Sequence, residues 1–177
     1  MSNIDRLAYA RDGKLFYAAN VSAKSVIAVT AAMTGVIIHN PQGSNKNLAI
    51  VDAGFAWTTV PGAVHNLGIG IVAPELAAPT SLTAIGSGVH SADGSGTRGK
   101  SVAFAYDAAT FAVAPVARRW FGGAAWGTSV GVSPYKMVDE VDGGLLVPPG
   151  ASACLIVVTT TAVGLGFMSW IEVDLKS

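Results

Sequence analysis

The sequence predicts an all-β sandwich or barrel in one domain, and three observations carry that prediction. Gly, Pro, Asn, Asp and Ser punctuate short β-branched or alternating runs almost throughout the chain, marking about ten strands. No run keeps a 3.6-residue apolar period for three turns, so helix is disfavoured. The 177 residues match the size of one domain, and no internal repeat or linker divides them.

Each element follows from local chemistry. Asp12-Gly13 separates Leu7–Arg11 from Lys14–Asn20 and has the composition of a two-residue hairpin turn. Ser25–Thr30 and Thr34–Asn40 follow, then the loop Pro41-Gln42-Gly43-Ser44-Asn45. Asn47–Thr59 is a long strand candidate closed by Val60-Pro61-Gly62, and Val64–Val72 and Thr80–Ile85 come next. Gly86–Gly99 is a Gly/Ser-rich loop. Ser101–Tyr106 and Thr110–Arg118 are strands around Asp107, with Pro115 demoting the second to a sheet edge. Leu145–Val147, Ala153–Thr160 and Leu165–Leu175 complete the set. A short N-terminal turn and a turn near Pro74–Ala78 are the only helical expectations.

Composition narrows the class. Eleven basic residues balance eleven acidic ones, and charged residues are 12% of the chain, about half the usual share. That apolar, neutral balance excludes a disordered tail and disfavours a phosphate-neutralising nucleic-acid binder. Cys154 is the sole cysteine, lies in an apolar run, and reads as a buried, inert thiol. The first six residues have no apolar core of a secretory signal, so synthesis in a reducing cytoplasm is expected.

A membrane span has to be considered, because Gly143–Ile171 carries no charge. Pro148-Pro149-Gly150, the β-branched run Val157–Thr161, and Gly164 with Gly166 all oppose a helix there. Two strands with a turn at Val163-Gly164 account for the same residues, and no membrane partner is expected.

Gly94–Ser101 matches the phosphate-loop pattern G-x-x-x-x-G-K-S, in which Lys100 would meet phosphate and Ser101 magnesium. That chemistry needs a buried strand before the loop and a helix after it. Here the preceding residues read as loop and Val102–Tyr106 as strand, so a hairpin loop is expected. His39, His65 and His90 lie on separate segments with no metal-ligand spacing. Asp139, Glu140 and Asp142 before Gly143-Gly144 depart from a calcium-loop spacing and read as a solvated turn. The expectation is no enzyme, no cofactor and no metal.

Two segments point to contact with a partner. Arg118–Gly127 packs two arginines, three aromatics and three glycines into ten residues, and Arg and Trp often anchor interfaces. Arg119, Trp120, Phe121 and Trp126 are its candidates. Residues 1–14 hold five of the chain's charged groups, with Arg6 and Arg11 as candidates for an arm, leaving 15–177 for the sandwich. Several runs, including Val26–Val29 and Leu155–Val158, are apolar on both faces, which predicts burial of the second face by further copies.

Leu145–Ser152, the β-run after it, and Gly164–Val173 resemble the end of β-sandwich virion proteins of tailed bacteriophages. Thr34–Pro41 and Asn45–Ile50 are similar to the early strands of that family. The resemblance covers about a third of the chain and carries no catalytic signature. It implies a jelly-roll-like antiparallel β-sandwich, a homotrimer, and a capsid decoration or cement protein bound to the major capsid protein on the virion surface. The alternative is a receptor- or glycan-binding module of a tail or head fibre, using Trp120, Phe121 and Trp126.

Overall fold

The computed structural model describes residues 5–59, 65–74, 78–94, 101–124, 136–158 and 161–175. One helix, α1 (Arg6–Arg11), precedes β1 (Leu15–Ala19), β2 (Lys24–Val26), β3 (Ala32–His39), β4 (Lys46–Trp57), β5 (His65–Val72) and β6 (Thr80–Ala84). β7 (His90–Ser91), β8 (Phe104–Thr110), β9 (Val116–Ala124), β10 (Lys136–Val147), β11 (Ser152–Val157) and β12 (Ala162–Asp174) follow. The first sheet has the order β10-β4-β12-β1-β7, with β2 on one end of β12. The second runs β6-β8-β3-β11-β5-β9.

The chain crosses between sheets at each step from β3 to β5 and again from β9 to β12. Strands adjacent in sequence therefore face each other across the core, and hydrogen-bonded neighbours are distant in sequence. The orders β1-β12-β4-β10 and β3-β11-β5-β9 are those of a jelly roll, with β6 to β8 inserted between β5 and β9. The fold is an all-β sandwich in two antiparallel sheets.

Phe16, Ile38, Leu48, Phe55, Leu155 and Trp170 belong to the core between the sheets and are at most 1% exposed. A second, smaller core covers the outer face of the second sheet. Met33, Ile37, Val72, Phe111, Cys154 and Ile156 form it, and Ile27 packs onto them. This changes the reading of the doubly apolar runs. Leu155, Ile156 and Val157 are fully buried within one chain, so their second face needs no further copy to cover it. Burial pushes the Cys154 thiol well above its ordinary pKa, which keeps it neutral.

Five expectations about elements are corrected. Leu7–Arg11 is helix, with Asp5 as N-cap accepting from the Ala8 amide at 3.0 Å. Asp12-Gly13 ends that helix: Gly13 has φ +65°, its amide bonds Ala10 O and the Lys14 amide bonds Tyr9 O, which is a Schellman cap. Asp107 lies inside β8, and Asp139–Gly144 lies inside β10 with a bulge between Glu140 and Leu145. β11 and β12 enter different sheets, and Val163-Gly164 is paired with Ser25-Lys24 in β12. Among the described residues no helix is long and apolar enough to cross a membrane.

Candidate functional site

The outer face of the first sheet combines the features that bear on function. Register places its side chains in rows across the strands. One row is Val138, Gly54, Phe167 and Ala19, from β10 through β4 and β12 to β1. The Phe167 ring lies over Gly54, where any Cβ would overlap it; that close approach requires glycine. Leu165 and Ala56 pair in the next row on the same face, and a cleft of about 290 Å³ is lined by Ala19, Ala56, Val138, Leu165 and Phe167 among others. Val138 is 50% and Leu165 40% exposed, so at these two positions the face is open to solvent.

The adjacent row is polar: Glu140, Asp52, Ser169, Tyr17 and His90. Ser169 Oγ donates to Asp52 Oδ2 at 3.2 Å, and Tyr17 stacks on His90 with centroids 5.6 Å apart. Arg6 reaches this row from α1. Its Nη1 donates to Asp52 Oδ2 at 3.2 Å and sits 3.1 Å from Oδ1, without hydrogen-bond geometry to the latter. Its Nη2 donates to Asp142 Oδ1 at 2.8 Å. The Asp142 hydrogen bond raises the Arg6 pKa further above its ordinary value, with burial opposing it. Both partners are partly exposed, so these pairs hold geometry more than they add stability.

The second arginine site closes one side of the sandwich. Arg119 on β9 pairs through Nε and Nη2 with the Asp139 carboxylate on β10, and Nη2 also donates to Glu140 O at 3.3 Å. This contact ties the second sheet to the first. Asp142 acts on both Arg6 and Arg119, so the fold brings two of the six predicted contact residues to one acidic strand. Arg11 is exposed at the end of α1 and is not gathered with them. Trp120 lies over Gly68 on the outer face of the second sheet and is 49% exposed. Phe121 turns the other way and packs against the main core. These two aromatics do not share a groove, and Trp126 lies outside the described residues. The apolar row on the first sheet was missed by sequence reasoning, because its members come from four separated strands.

Polar groups elsewhere are held by the fold. Ser101 Oγ donates to Glu172 at 2.7 Å. The flanks of the phosphate-loop pattern are the two-residue β7 and then β8, without the helix that phosphate binding requires. Residues 95–100, including Lys100, lie outside the described set. His39 Nδ1 is 2.9 Å from Ser152 Oγ. Among the described residues, no three of His, Cys, Asp and Glu converge to hold a metal ion. No family model, curated protein or solved structure matches the chain.

His65 gives a pH-dependence. It is 3% exposed, and Trp57 Nε1 donates to its Nδ1 at 3.3 Å, which requires the neutral ring. Burial pushes its pKa below the ordinary histidine value. The unfolded chain therefore takes up a proton in a range where the folded chain resists it. The stability His65 contributes is present above the ordinary histidine pKa and is lost as pH falls below it. Thermal melts from pH 7.5 to pH 5 should show a falling midpoint, with a shallower fall in His65→Gln. Equal slopes would remove His65 as the cause.

Proposed function

We propose that the protein is a non-enzymatic structural component that works by burying the outer face of its first sheet against neighbouring molecules. The observation that carries this reading is the exposed pair Val138 and Leu165 beside the half-buried Phe167, on a chain of zero formal net charge. A jelly roll serves capsid, lectin and cupin proteins alike, so the fold by itself selects no function. The resemblance of the strand-and-turn segments gives the specific setting: a homotrimeric decoration or cement protein on a phage capsid, bound to the major capsid protein. The fibre-module alternative rests on aromatics gathered in one groove, and the opposite orientations of Trp120 and Phe121 weigh against it.

The sheet edges support contact through a face. β6 contains Ser81 at φ +50° with shifted register, β9 carries two bulges against β5, and β10 carries charge and a bulge. Such devices oppose edge-to-edge strand addition. Val138→Asp and Leu165→Asp put charge on the row at exposed positions, where the stability change should stay within about 1 kcal/mol. Light scattering should show the wild type as an oligomer and both variants as monomers, with capsid co-sedimentation lost in parallel. A monomeric wild type over micromolar concentrations, or unaltered assembly in both variants, would overturn the reading.

A further inference from the structure

The helix α1 has no buried residue, although Arg6 ties it to the outer face of the first sheet. Arg6, Tyr9 and Ala10, spaced for one helix face, are half-buried, whereas Leu7, Ala8 and Arg11 are exposed. Among the described residues, its side-chain polar contacts with the sandwich are those of Arg6, to Asp52 on β4 and Asp142 in the β10 bulge. A six-residue helix is too short to persist alone in water, so its order depends on this seat and its two caps. Beside the seat lies the row Leu15, Ile171, Ala49 and Leu146. Ile171 is 2% and Ala49 6% exposed on this outer face, at the end where α1 joins β1.

We infer that α1 is a charge-held latch: it opens as a unit while the sandwich stays folded, and opening enlarges the apolar face available to a neighbouring copy. The closed latch leaves the Phe167 row and Leu146 exposed and shields only Ile171 and Ala49. Released, the two rows flank a strip whose carboxylates, Asp52 and Asp142, have lost their arginine. The Schellman cap at Gly13 is the pivot, because the strand hydrogen bonds begin directly after it. The enlargement of the contact face rests on the reading proposed above; the opening itself does not.

Trypsin cleavage after Arg11, followed by mass spectrometry on the native full chain, reports the opening. Cleavage tracks the open population when reclosing is fast. Arg6→Gln and the double variant Asp52→Asn/Asp142→Asn should each raise the cleavage rate about threefold, the size expected for losing two partly exposed pairs that each add little stability. Arg6 is on the surface, so its variant keeps the measurement valid should the double variant fold poorly. Unchanged cleavage in Arg6→Gln, or cleavage that rises only with global melting, would overturn the latch. At matched concentration, Arg6→Gln should also self-associate more than wild type. Faster cleavage with unaltered association would overturn control of the face by α1. A monomeric wild type, by contrast, would strike the proposed function and leave the cleavage result standing.

Discussion

Asp107→Ala should cost about 3 kcal/mol of stability, lowering the melting midpoint by about 6–12 °C for a domain of this size. Asp107 is 6% exposed on β8 of the second sheet, and it faces groups from the first. Asn20 Nδ2 donates to its Oδ1 at 2.5 Å, and Lys24 Nζ lies 3.2 Å from Oδ2. Asn20 in turn accepts the Gly166 amide of β12 at 3.1 Å. Alanine removes the acceptor that both sheets share and leaves the buried Asn20 amide without its partner, which is the expensive part. Lys24 is partly exposed and can turn to water, so it contributes less of the loss. Asp107→Asn retains an acceptor for Asn20 and should cost about half as much. Urea and thermal melts check both, and an alanine variant within 1 kcal/mol of wild type would remove the inter-sheet tie as a stabilising element.

The same residue shows where sequence reasoning stops. Asp is depleted in strands, so Asp107 between two apolar runs reads as a turn. Its partners Asn20 and Lys24 lie more than eighty residues away, and no local signal connects them. By contrast, β3, β4, β5 and β11 were legible to within a few residues, because their apolar runs are long and bounded by Gly, Pro or Asn. β10 was legible only at its end, Leu145–Val147, for a different reason. It is an edge strand, and an edge tolerates the charges and glycines of Asp139–Gly144 that otherwise signal a turn. In Leu7–Arg11 the hairpin signal of Asp12-Gly13 suggested a strand, but the Asp5 cap and the helix-tolerant Leu, Ala and Arg prevailed. Arg6 and Arg119 were legible as residues of interest, while their partners on β4 and β10 were not. The doubly apolar runs were legible as unusual; a second core within the chain covers Ile27 and Ile156, while Val29 and Val158 stay exposed.

Glu172→Ala should be comparably damaging, at about 3–4 kcal/mol, because this carboxylate is a buried charge with all its partners in place. Its side chain is 1% exposed. Lys46 Nζ donates to Oε2 at 3.1 Å, while Ser101 Oγ and the Val102 amide each donate to Oε1 at 2.7 Å. Removing it leaves the Val102 amide and the Ser101 hydroxyl without their acceptor and frees the segment entering β8 from β12, while Lys46, partly exposed, can turn to water. Ser101→Ala loses one of these hydrogen bonds and should cost only about 1–2 kcal/mol. The comparison also bears on the phosphate-loop pattern, because the hydroxyl that would meet magnesium there is held by Glu172. Magnesium with ATP should therefore leave the melting midpoint of the wild type unchanged. A ligand at a hundred times its dissociation constant would add about 2.7 kcal/mol, a shift that thermal melts resolve easily. A saturable ATP-dependent rise in the midpoint, reversed by Ser101→Ala, would show that the hydroxyl can leave the carboxylate and that the non-enzymatic reading is wrong.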